Sequence, residues 1–94
     1  IKRGGEASTR RQKEAADLAG EADVMVVIGG RNSANTGRLS EICRSRCPHT
    51  YHIESQDELQ GQWFSDADLV GVTAGASTPV DQITAVCERI RTLF

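Results

Sequence analysis

Ninety-four residues, of which 38% are hydrophobic, suffice for one small core and not for two. Eleven Lys and Arg against 13 Asp and Glu leave a net charge of −2, which excludes the overall basic excess of a dedicated nucleic-acid binder. No apolar run approaches the roughly 20 residues that span a bilayer, and the N-terminal IKRGGEASTRRQ has no signal-peptide apolar core, so the chain reads as soluble and cytoplasmic with no membrane partner.

Lys2, Arg3, Arg10, Arg11 and Lys13 form a basic group near the start, read as a solvated face, with phosphate neutralisation as the competing reading. RRQKEAADLAG predicts a first helix ending at Gly20, a residue suited to the left-handed position after a helix. DVMVVIG is a continuous apolar run of strand length, as expected of a strand covered on both faces. After a polar loop, a second helix from about Thr36 to Arg46 carries Leu39, Ile42 and Cys43 at helical spacing and stops before Pro48. His49 to Ser55 predicts the second strand.

SQDELQGQWF follows as a short helical turn, with Ser55 as cap and Glu58 completing a capping box. DLVGVTAG is the third strand. It leads into ASTPVDQITAVCERIRTLF, where Val80, Ile83, Val86, Cys87, Ile90 and Phe94 mark one face of a terminal helix and Pro79 suits its first turn. Strands that alternate with helices are joined by right-handed crossovers, so the expectation is one α/β domain over residues 1–94. It is a three-layer unit with a small parallel sheet of three to four strands flanked by helices.

Cys43, Cys47 and Cys87 are an odd number without a CxxC pair, which fits neither a disulfide framework nor ordinary zinc-site spacing. Cys43 and Cys87 fall at apolar helix positions and read as small buried hydrophobes.

Ligands of open α/β sheets lie beyond the carboxyl ends of the strands. Two loops there, residues 29–36 and 73–79, each follow a strand, open a helix, and are rich in Gly, Ser, Thr and Asn. Glycine lets backbone N–H groups approach an anion, and a helix start favours negative charge, so a phosphate or diphosphate is the natural ligand. The competing reading makes Thr36 and Ser77 no more than helix caps. Asn32, Ser33 and Asn35 exceed what a cap requires, and two such loops at one sheet edge favour the ligand. Neither GxGxxG nor GxxxxGK[ST] is present.

ASTRRQKEAADLA, DVMVVIGGRNSANTGRLSEIC, YHIES and DLVGVTAGASTP together resemble the carboxy-terminal domain of the 4-hydroxy-3-methylbut-2-enyl diphosphate reductase (LytB) family, over nearly the whole chain. The resemblance implies one lobe of a longer, three-lobed, cloverleaf-like enzyme of the non-mevalonate isoprenoid pathway. There a central [4Fe–4S] cluster, fed by a donor such as a ferredoxin or flavodoxin, reductively removes the hydroxyl of an allylic diphosphate.

By the same resemblance the diphosphate contacts fall on Ser33, Asn35 and Ser77. Ala34 stands where the family usually has a second serine, and Ser8 where it commonly has a threonine near the reacting end of the substrate. Gly5 occupies the position of a cluster cysteine, and Cys43, Cys47 and Cys87 match no cluster position. The family's other ligands and its acid–base groups belong to two further lobes. His49 and His52 do not match them and read as strand or strand-edge residues. The expectation is thus a fragment or divergent copy of the reductase, inactive and without a cluster by itself. The alternative is a non-enzymatic phosphate-binding or interaction module. A third, weaker alternative is an unrelated nucleotide-binding domain of flavodoxin-like build.

Overall fold

The computed structural model describes residues 9–10, 12–75 and 78–93. Four parallel strands, β1 (Thr9–Arg10), β2 (Val24–Ile28), β3 (Thr50–Ile53) and β4 (Val70–Ala74), lie side by side in the order β1-β4-β2-β3. Helices α1 (Gln12–Glu21), α2 (Ala34–Arg46) and α3 (Val80–Leu93) alternate with them, and two short 3-10 turns, Gln56–Glu58 and Gly61–Phe64, stand between β3 and β4.

Period-two alternation in the two central strands splits the core into two layers. Val24, Val26 and Ile28 of β2 and Val70, Val72 and Ala74 of β4 face Phe64, Val86 and Ile90, the layer built under α3 and the second turn. Met25 and Val27 point the other way, onto Ala15, Leu18 and Ala19 of α1 and Leu39 and Cys43 of α2. All five residues of β2 and all five of β4 are buried, and β2 accordingly reads as an unbroken apolar run, whereas β4 includes the buried Thr73.

The short β1 was not foreseen: it sits within the stretch read as a basic, solvated face and the start of a helix. Two residues paired with Val72 and Thr73 of β4 carry no hydrophobic pattern of their own. Gly20 was expected to end the first helix, yet α1 runs to Glu21, and Ala22 N–H still donates to Leu18 O. Val80 was expected on the core face of the last helix and is 74% exposed. Burial deepens along α3, from a partly buried Ile83 to fully buried Val86 and Ile90, because its first turn lies beyond the side-chain layer that covers the later turns. Phe94 lies outside the described residues.

Asp23 ties the amino ends of β2 and β4 together. Its Oδ2 accepts the N–H groups of Asp68 at 2.8 Å and Leu69 at 3.1 Å, and these two donors hold its carboxyl below the usual carboxylate range. A depressed folded-state pKa contributes stability that is present above the unfolded value of about 4 and is lost as pH falls through the folded one. Urea unfolding of Asp23→Asn is therefore expected to show a smaller loss of stability below pH 4 than the parent chain. An unchanged acid limb would show that other carboxylates set it.

Candidate functional site

The sheet order sends the chain from two neighbouring strands to opposite faces of the sheet. β2 and β4 pair directly, but the chain leaving β2 enters α2 on one face, whereas the chain leaving β4 enters α3 on the other. Their exit loops therefore part at the carboxyl edge, the topological switch point of an open α/β sheet.

The first exit loop is held by backbone and side-chain bonds. Gly29 N–H donates to Ile53 O at 3.0 Å, Ser33 N–H donates to Gly30 O at 3.0 Å, and His52 Nε2 lies 3.0 Å from Gly29 O. A carbonyl only accepts, so His52 carries its proton on Nε2 in this contact. His52 thus holds the loop, a role beyond strand-edge packing. Arg31 reaches over the loop to Glu54 and Glu58, and Glu58 also accepts the N–H groups of Glu54 at 2.6 Å and Ser55 at 3.0 Å, which is the carboxylate half of the capping box. Arg31 is more than half exposed, so water screens these pairs and they orient the loop more than they stabilise the fold.

Ser33, and not Thr36, caps α2: its Oγ accepts Thr36 N–H at 3.3 Å. Thr36 was read as the candidate cap because a helix start at Thr36 was expected; the helix begins at Ala34, which puts Thr36 in the first turn with its side chain completely buried. There it fills the space between two glycines of different loops. A methyl group at Gly29 would sit 2.7 Å from Thr36 Cγ2, and one at Gly75 would overlap Thr36 Oγ1.

The second loop returns to the first. Gly75 N–H and Thr78 Oγ1 both donate to Ile28 O, the last carbonyl of β2, each at 3.0 Å, and Thr78 N–H donates to Gly75 O at 3.0 Å. Gly75 and Thr78 thus sit against the same strand end from which the Ser33 loop departs. Asn35 occupies the exposed first turn of α2. Ser8, Ser77 and Gly5 lie outside the described residues.

The three cysteines do not converge. Cys43 and Cys47 are buried under α1 and α2, and Cys87 is buried on the opposite face of the sheet under α3. Burial, with neighbouring Cys47, pushes the Cys43 thiol up to about 11, and burial also pushes Cys87 upward. Cys47 Sγ contacts the carbonyls of Ala22 and Asp23, each at 3.6 Å.

A separate cavity of about 370 Å³ opens at the other, amino end of the sheet, between Asp23, His49, Tyr51, Trp63 and Asp66. It shares no residue with the two loops. No helix among the described residues is long and apolar enough to cross a membrane.

The chain is 56% identical over 86 residues to the 4-hydroxy-3-methylbut-2-enyl diphosphate reductase of Geobacter sulfurreducens, an alignment covering 92% of this chain and 30% of that protein. It is 47% identical over 87 residues to the enzyme of the same name from Caldanaerobacter subterraneus. The chain spans about 30% of the length of these relatives.

A solved structure of (E)-4-hydroxy-3-methyl-but-2-enyl diphosphate reductase, described as the terminal enzyme of the non-mevalonate pathway, superposes with a TM-score of 0.85 at 50% identity. The match covers 87% of this chain and 29% of that one. The Plasmodium falciparum E-1-hydroxy-2-methyl-but-2-enyl-4-diphosphate reductase superposes with a TM-score of 0.78 at 20% identity, a likeness of fold. The family model described as LytB protein matches residues 5–91, and with that match over most of its length the chain belongs to the LytB protein family.

Proposed function

We propose that this chain is the lobe of a 4-hydroxy-3-methylbut-2-enyl diphosphate reductase that grips the diphosphate end of the substrate. The observation that carries the reading is the meeting of the two exit loops at the end of β2. Thr36 of one loop packs against Gly75 of the other, and Gly75 N–H and Thr78 Oγ1 both bond Ile28 O. A diphosphate needs several donors in a small volume and gains from nearby helix starts, and α2 and α3 both begin here.

In this reading Ser33 and Ser77 give hydroxyl donors and Asn35 an amide donor, while Ala34 offers no hydroxyl of its own. Ser8 takes the sequence position at which the family commonly has a threonine near the reacting end. The reductive step would belong to a cluster, reduced by a ferredoxin or flavodoxin, whose other ligands, with the acid–base groups, lie in the remainder of the longer protein, while Gly5 of this chain supplies no thiolate to it. The described thiols of this chain contribute nothing to that step. Recognition of the diphosphate rests on geometry and donors alone, with no proton moved by this chain.

Titration of the chain with inorganic diphosphate, followed by NMR, is expected to shift the backbone amides of residues 30–36 and 75–78 together. Without the remaining lobes the dissociation constant is expected to be on the order of millimolar, about 4 kcal/mol. In Ser33→Ala the response should weaken further, and the lost helix cap should cost about 1 kcal/mol of stability. Shifts confined to Lys2, Arg3, Arg10, Arg11 and Lys13 would instead mark simple charge attraction and refute the site.

A further inference from the structure

We propose that Thr36 is a positioning residue for the diphosphate, one that aims the hydroxyl proton of Ser33 out of the loop and toward the anion. The inference rests on the diphosphate reading and adds a residue that the resemblance did not assign.

A serine hydroxyl has one proton to donate and two lone pairs to accept with. The completely buried Thr36 hydroxyl has Ser33 Oγ as its hydrogen-bond partner among the described residues and must spend its proton there, so with Thr36 N–H at 3.3 Å and Thr36 Oγ1 at 3.2 Å both acceptor positions of Ser33 Oγ are taken by the same residue. What remains is the O–H, which must point away from α2. Ser33 is half-buried, so that direction has access to solvent or to a ligand. A hydroxyl that only caps a helix requires the backbone bond alone; the second donor turns it into a dedicated donor, the polarity an anion needs.

The Thr36 side chain is held in place for this task. A threonine within a helix commonly turns its hydroxyl back to a carbonyl of the preceding turn, and here it turns to the capping serine instead. It is completely buried, with Gly29 against its Oγ1 and Cγ2 and Gly75 against its Oγ1. Both glycines belong to strand exits, so the ends of β2 and β4 together fix the rotamer that fixes Ser33. Side chains at either glycine would occupy the space that Thr36 fills.

Thr36→Ser and Thr36→Ala, made in the full chain, separate positioning from packing. Both remove the same methyl group, so both should lower the urea midpoint, and only the serine variant keeps the hydroxyl. Diphosphate titration by NMR is expected to leave the dissociation constant of Thr36→Ser within about twofold of the parent, while Thr36→Ala weakens binding by about five- to tenfold, the scale of one hydrogen bond to a charged group. Equal affinities for the two variants would overturn the inference while leaving the diphosphate reading intact. A parent chain whose 30–36 and 75–78 amides fail to respond would overturn that reading, and this inference with it.

Discussion

Phe64→Ala is expected to lower the unfolding free energy by about 3–5 kcal/mol, a large share of the roughly 5–14 kcal/mol available to a domain of this size. Phe64 is among the largest fully buried side chains, at 1% exposure, and it comes from a 3-10 turn and not from a long element. Its ring fills the layer between the sheet and α3, with Val70, Val72, Val86 and Ile90 in the same cluster. Trp63 meets it edge-on, with ring centroids 6.2 Å apart, and stacks in turn on Tyr51 of β3 at 4.0 Å. Truncation removes both the transfer free energy of the ring and the contacts of its neighbours, because a four-residue turn has little freedom to collapse into the void. Chemical unfolding at neutral pH measures the loss. A change below 1 kcal/mol would mean that the Gly61–Phe64 turn is not docked as described.

Gly29→Ala should cost about 3 kcal/mol, through a single methyl group at the mouth of the site. The added carbon would lie 2.7 Å from Thr36 Cγ2 and 3.1 Å from Thr36 Cβ, and it would also press on Oγ1. Thr36 has nowhere to retreat: it is fully buried, stiff at χ1, and blocked on its other side by Gly75. Either the start of α2 must move away from β2, or the loop must give up its bond to Ile53 O. The specific cause is tested by a double-mutant cycle. Thr36→Ala removes Oγ1 and Cγ2, so the combined variant should be more stable than the sum of the two single losses predicts, by about 1–2 kcal/mol. Strict additivity would place the strain of Gly29→Ala elsewhere in the loop.

The loop carries little pattern that a linear reading can use, and this shows in which expectations held. The alternation of strands and helices, the parallel sheet, the burial of Cys43 and Cys87, the end of α2 before Pro48 and the bond from Ser55 N–H to the Glu58 carboxylate were all legible in the sequence. Each depends on local periodicity, on a chain-breaking residue or on a short-range hydrogen bond, so neighbouring residues decide it. Family membership was legible for a similar reason, since VGVTAGASTP and the NSxN loop keep their order and spacing.

The capping role went to Ser33 because Thr36, an equally good cap by type, is enclosed by glycines from two different strand ends, and no local signal reports a partner some forty residues away. The hydrogen bond of His52 to Gly29, the pairing of Thr9 and Arg10 with β4, and the exposure of Val80 depend likewise on which strands become neighbours. By itself, then, the sequence determined that this protein is a parallel α/β unit with two hydroxyl-rich loops at strand exits, because apolar periodicity and turn chemistry are properties of a segment. Only the tertiary structure decided that β4 lies beside β2, that the two loops meet at Ile28 O, and that Thr36 fills the space between them. Close approach between distant backbones is a property of the assembled sheet, and it has no period in the chain.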